Sequence, residues 1–75
     1  MEFLHTLLTE NKINTSYYLD LVTFDDMKTT EFVVSADEKI IFRSQSYQNA
    51  LEFFNLKKEG QHEKANEFKN KMELK

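Results

Sequence analysis

The chain has no cysteine, no proline, no tryptophan, a single glycine and a single arginine. Each scarcity excludes something. Without cysteine there are no disulfides, no thiolate metal sites and no thiol nucleophile. A small extracellular domain usually depends on such cross-links, so a reducing, cytoplasmic setting is expected. With only Gly60, no glycine-rich loop can cradle a phosphate and no strained G-x-S-x-G turn can present a nucleophilic serine. No stretch approaches the roughly 20 apolar residues that span a bilayer, and Glu2 stands where a secretory leader would carry basic charge. No membrane partner is expected.

What is present is 75 residues, 40% hydrophobic, with seven Phe and three Tyr. Starting at Met1, the chain reads as a complete small protein of one domain, residues 1–75. At this size only about 60% of the unfolded surface is buried on folding, which allows one modest core and no deep substrate cavity. The net charge of −3 is unevenly spread. Residues 1–38 carry eight acids against two bases; residues 39–75 carry five acids against eight bases. An acidic front disfavours phosphate contacts, so nucleic acid is not the expected partner.

The segment "YYLDLVTF" is unusual for a small protein. A half-buried strand alternates apolar with polar residues. Here Tyr17, Leu19 and Leu21 fall on one side, and Tyr18, Val22 and Phe24 on the other, broken by Asp20 and Thr23.

Phe3, Leu4, Leu7 and Leu8 fall in one helical stripe, which predicts a helix over residues 2–12. Strands are predicted over 17–24, 29–35 and 39–43, joined by the short turns "DDMK" and "ADE" that force antiparallel neighbours. Tyr47, Ala50, Leu51 and Phe54, widened by Phe53 and Leu56, predict a helix over 46–59, capped by serine at its start and by Gly60 at its end. Ala65, Phe68 and Met72 predict a last helix over 61–73. The expected fold is α+β in the order αβββαα: a three-stranded antiparallel meander, helices packed on one face, and a terminal helical hairpin.

"FLHTLL" and "TEFVV", in that order of elements over residues 3–54, resemble the opening helix and second strand of a double-stranded-RNA-binding domain. That family grips phosphates with a lysine run at the start of its last helix. Here the position reads "SQSYQNALEFF", with no base between Arg43 and Lys57. The resemblance implies the order of elements and not the RNA-binding residues. Gly60, Ala65 and Phe68 in "LKKEGQHEKANEFKNKM" resemble the turn of a tetratricopeptide-type hairpin, though one hairpin does not make a repeat array.

His5 and His62 form no metal-ligand spacing. Asp25–Asp26 and Asp37–Glu38 sit in turn tips, where burial cannot tune a carboxylate for acid–base work. Neither turn has the alternating acids and glycine of a calcium loop. The chain therefore reads as a non-enzyme with no cofactor and no metal. What remains is surface. The second face of the sheet would gather Tyr18, Val22 and Phe24, with Val33 and Ile41 beside them and a rim of Asp20, Glu31 and Arg43. Either the last helix folds over that face, or a partner does.

The expected function is a small protein-binding module. Tyr18, Val22 and Phe24 would anchor a host or self protein, and Asp20, Asp25, Asp26 and Glu31 would meet its bases. A homodimer through the sheet face is compatible with this. Nine Lys, six Asn and no Pro suit AT-rich coding DNA, and at class level the chain resembles phage accessory proteins that inhibit a host protein, acting in the host cytoplasm. The alternative is nucleic-acid binding of the double-stranded-RNA type through Lys57, Lys58, Lys64, Lys69 and Lys71.

Overall fold

The computed structural model describes residues 3–24 and 29–73. The elements are β1 (Phe3–Asn11), β2 (Ser16–Thr23), β3 (Thr30–Ala36), β4 (Lys39–Ser44), α1 (Tyr47–Lys58) and α2 (His62–Glu73). The four strands form one antiparallel sheet in the order β1-β2-β3-β4. The class is α+β, but the sheet has four strands where the sequence predicts three.

The correction lies in residues 3–11, which form a strand and not a helix. A nine-residue helix is marginal without tertiary support. Pairing with β2 instead completes the backbone hydrogen bonding of a strand that is sticky on both faces. The register slips between Thr6 and Leu8, leaving Leu7 as an extra residue. Across that bulge Phe3 and Leu8 share the helix side while Leu4 lies on the other, so the four residues that fit one helical stripe do not share a face in the strand. The helix-first order that carried the resemblance to double-stranded-RNA-binding domains is thus replaced by a strand.

The other boundaries move by about one residue, within ordinary end fraying. Lys12–Thr15 link β1 to β2, with the Lys12 N–H donating to the Thr15 carbonyl at 2.8 Å. In the β3–β4 turn, Asp37 has φ 56°, a region asparagine and aspartate tolerate better than most residues. Its N–H donates to the Ser16 carbonyl at 2.7 Å, and its Oδ1 accepts from the Ser16 N–H at 3.0 Å. One of the turn acids is therefore a clamp between the β3–β4 turn and the start of β2.

Both helices lie on one face. Tyr17 and Leu19 of β2, Val34 of β3 and Phe42 of β4 meet Ala50, Phe53 and Phe54 of α1 and Ala65 of α2 in a single buried cluster. Phe42 stacks on Phe53 at 4.6 Å between ring centroids and lies 5.9 Å from the Phe68 ring of α2. Phe32 meets Tyr47 edge-on at 5.3 Å. Each such large side chain contributes about 1.5–3 kcal/mol when fully buried.

The Ser46 hydroxyl caps α1 by accepting from the Asn49 N–H at 3.3 Å. At the other end, Gly60 at φ 81° lets its own N–H reach the Lys57 carbonyl (3.1 Å) and the Gln61 N–H reach the Leu56 carbonyl (2.9 Å). That pair of bonds closes the helix and turns the chain into α2. The terminal helix therefore packs beside α1, and does not fold over the second face of the sheet.

Candidate protein-binding face

The strand register assigns the face opposite the helices residue by residue, because directly paired residues point the same way. Three rows cross it. Leu4, Val22 and Glu31 form the first. Thr6, Asp20, Val33 and Arg43 form the second, and Thr9, Tyr18, Ser35 and Ile40 the third. Among the described residues no helix covers this open face.

The structure brings together Tyr18, Asp20, Val22 and Glu31 of the expected site. Phe24 follows the end of β2, half-buried, with its N–H donating to the Thr29 carbonyl at 3.0 Å. Asp25 and Asp26 lie outside the described residues. Val33 joins the face as expected, but Ile41 does not: it packs against the helix-side core. A second register shift, between Val34 and Ser35, sets Ile40 opposite Ser35 and so on the open face. Ile40 is 52% exposed.

Asp20 departs from expectation in a different way. It is on the predicted face but is buried, with 8% of its surface exposed. Its Oδ1 has no hydrogen-bond partner. Along β2 it lies between Tyr18 and Val22; across the sheet it lies between Thr6 and Val33. A buried carboxylate oxygen without a partner forfeits its hydration and gains nothing in return. Val22 and Val33 are also buried, at 6% and 3%, yet stand outside the main core cluster. They form a second, shallow apolar floor around the carboxylate. At its edge Arg43 reaches Glu31 at 3.5 Å, with the arginine side chain 52% exposed. An ion pair that exposed contributes about 0–1 kcal/mol.

Sequence reasoning missed β1 as part of this surface. Of its large apolar residues, Leu4, 62% exposed, lies on this face; Phe3 (47%) and Leu8 (37%) lie on the helix side of the same edge strand, and Leu7 (42%) is the bulge residue. The available signals were Thr6 and Thr9, which favour strands, and the "NKINTS" loop, which suits a hairpin.

The lysines of the nucleic-acid alternative are dispersed. Lys57 and Lys58 border a cleft of about 390 Å³ with Lys12, Tyr17 and His62. Lys69 lines a separate hollow of about 220 Å³ with Ile40 to Arg43. His5 lies on β1 and His62 opens α2, both exposed. Among the described residues, no group of three or more His, Asp or Glu side chains is placed to hold a metal ion. No described helix is long and apolar enough to cross a membrane. Compared with known proteins, the chain matches no family model, no curated protein and no solved structure.

Proposed function

We propose that this chain is a small protein-binding module that docks its partner on the open face of the sheet. The observation that supports the reading best is a sheet face that no described helix covers, on which Leu4 and Ile40 are 62% and 52% exposed beside the half-buried Tyr18. Tyr18, Val22 and Phe24 supply the apolar anchor, and Asp20 and Glu31 supply the charge. Asp25 and Asp26 follow Phe24 directly in sequence and are the further acidic contacts of this proposal.

A partner with a basic, phosphate-binding surface suits this arrangement, because carboxylates can stand where phosphates would. In that case the module acts as an inhibitor by occupation, as expected of a phage-encoded protein acting on a host target.

The test is affinity capture from nuclease-treated bacterial lysate with the wild type, Tyr18→Ser/Phe24→Ser and Asp25→Lys/Asp26→Lys, each first shown to be folded by circular dichroism. A single target should be captured by the wild type. The apolar pair should lose it, and the charge reversal should weaken it at least tenfold. Equal capture by all three would overturn the reading. Strong retention of the wild type on a polyanion column would favour the lysine-based alternative instead.

A further inference from the structure

We infer that two copies of this chain pair edge to edge through β1, antiparallel about a two-fold axis between Leu7 and Leu8, to make one continuous eight-stranded sheet. The surface is the free edge of β1 and not the open face, so this stands apart from the function proposed above.

The two edges of the sheet are built differently. β4 is six residues long, carries Lys39 and Arg43, and has Lys69 of α2 beside it. Charge and cover of that kind keep an edge from pairing with another chain. β1 is nine residues long and has no Asp, Glu, Lys or Arg from Phe3 to Thr9. α1 packs on β2, β3 and β4, and the core cluster includes no residue of β1. Every residue from Phe3 to Thr9 is exposed. Among the described residues, β1 pairs with β2 alone, so its outer row of backbone N–H and C=O groups is open to a further strand.

The bulge says which strand fits. Phe3, His5, Leu8 and Glu10 point to the helix side, and Leu4, Thr6, Thr9 and Asn11 to the open side. Leu7 and Leu8 together oppose Leu19, as the two residues of a bulge do, so Leu7 goes with the helix side. Directly opposed residues of antiparallel strands point the same way. A straight strand laid along this edge loses that match at Leu7. A second copy brings the same bulge. With the axis between Leu7 and Leu8, Leu7 faces the second copy's Leu8, Thr6 its Thr9, His5 its Glu10 and Leu4 its Asn11, each twice. Every pair is matched in side. Moving the axis one residue along, to Thr6–Leu7 or Leu8–Thr9, pairs an open-side threonine with a helix-side leucine. Centring it on Leu7 sets Thr6 against Leu8.

The chemistry of the matched register is favourable at each step. Leucine meets leucine beside the axis, threonine meets threonine, and imidazole meets carboxylate at both ends. Glu10 is held in its own chain by one exposed contact, from its Oε1 to the Lys12 Nζ at 3.7 Å. Its second oxygen is left for the second copy's His5. Both copies then carry their helices on the same face. The exposed Phe3, Leu7 and Leu8 of each copy line the trough between the two helix layers and cover one another. The interface is isologous and closes at two chains.

Sedimentation velocity over rising chain concentration tests the pairing with wild type, His5→Glu, Glu10→Lys and the double variant, each first shown to be folded by circular dichroism. His5→Glu sets glutamate against Glu10 twice and should weaken the dimer at least tenfold. Glu10→Lys sets lysine against His5 twice and should weaken it severalfold. The double variant, and an equimolar mixture of the two single variants, should both recover the wild-type affinity. The register is read separately by Thr6→Cys and Thr9→Cys, since the chain has no cysteine of its own. Position 6 faces position 9 of the second copy, while like positions lie three residues or about 10 Å apart, beyond the reach of about 7 Å for a disulfide. A mixture should therefore cross-link faster on oxidation than either variant alone. A wild type that stays monomeric at millimolar concentration overturns the dimer. So does a dimer indifferent to His5 and Glu10, or one in which either cysteine variant cross-links faster with itself. Loss of the dimer in Tyr18→Ser/Phe24→Ser alone would move it to the open face and also overturn the edge. Lysate capture by a monomeric wild type would leave the open-face reading standing without it.

Discussion

At Asp20 a carboxylate stands between Tyr18 and Val22 along its strand and between Thr6 and Val33 across the sheet, with one oxygen unpartnered. In the isolated chain that arrangement is a cost. Leaving a buried polar group unsatisfied typically costs about 1–3 kcal/mol. Valine is close to aspartate in size, prefers strands and matches Val33 opposite. Asp20→Val is therefore expected to raise the unfolding free energy by about 1–3 kcal/mol, read as a higher urea midpoint at unchanged slope. The same variant should lose the open-face interaction. A drop in the midpoint would mean that the carboxylate is satisfied within the chain and has no need of a partner. Stability given up at one position for the sake of binding is a common feature of functional sites.

At the scale of elements, β1 and the α1–α2 junction show what holds the architecture. Ser46 caps the start of α1, and Gly60 at φ 81° closes its end. No atom would lie within 4 Å of a β-carbon built on Gly60. The cost of Gly60→Ala is thus backbone strain alone, about 1 kcal/mol. Ser46→Ala removes the cap at a similar cost of about 1 kcal/mol. The two sites are separated by the length of a 12-residue helix, so thermal or urea denaturation of the double variant should show the sum, within about 0.5 kcal/mol. A markedly larger loss would mean that α2 undocks when both ends of α1 are loosened.

These two helices were legible in the sequence because their apolar spacing, serine cap and lone glycine agree. The three-strand meander was legible because its turns are short and its strands rich in Val, Ile and Phe. The first strand was not. The spacing of Phe3, Leu4, Leu7 and Leu8 also fits a helix, and the pairing that makes the segment a strand is contributed by β2, which local reading does not see. The apolar residues on both faces of "YYLDLVTF" speak of burial on both, seen in Leu19 and Val22, and not of how many strands flank it. On the site, the alternation of β2 placed Tyr18, Asp20 and Val22 together. It could not reveal that Asp20 is buried, nor that a second bulge exchanges Ile41 for Ile40.

On the scale of the whole molecule, a sheet covered on one side divides the chain's labour. The helix side holds Leu19, Val34, Phe42, Phe53 and Phe54 in the cluster that folds it. The other side carries a smaller apolar floor, a buried carboxylate with one unpartnered oxygen, and an exposed arginine paired with Glu31. Of the described acids of residues 1–38, Asp20 and Glu31 lie on this open side, while Glu10 shares the helix side with Tyr17 and Asp37 is held in the β3–β4 turn. Because the chain has no native cysteine, a single introduced thiol reports on one face without background. Ser35 lies at the middle of the open face and is half-buried; Lys64 lies on α2 and is exposed. The most direct test compares the maleimide reaction rates of Ser35→Cys and Lys64→Cys in the free chain at low concentration and in its complex with a captured target. The account predicts that Ser35→Cys slows at least tenfold in the complex while Lys64→Cys is unchanged. An unchanged rate at Ser35→Cys, with protection at Lys64→Cys instead, would contradict it and place the interaction on the helices.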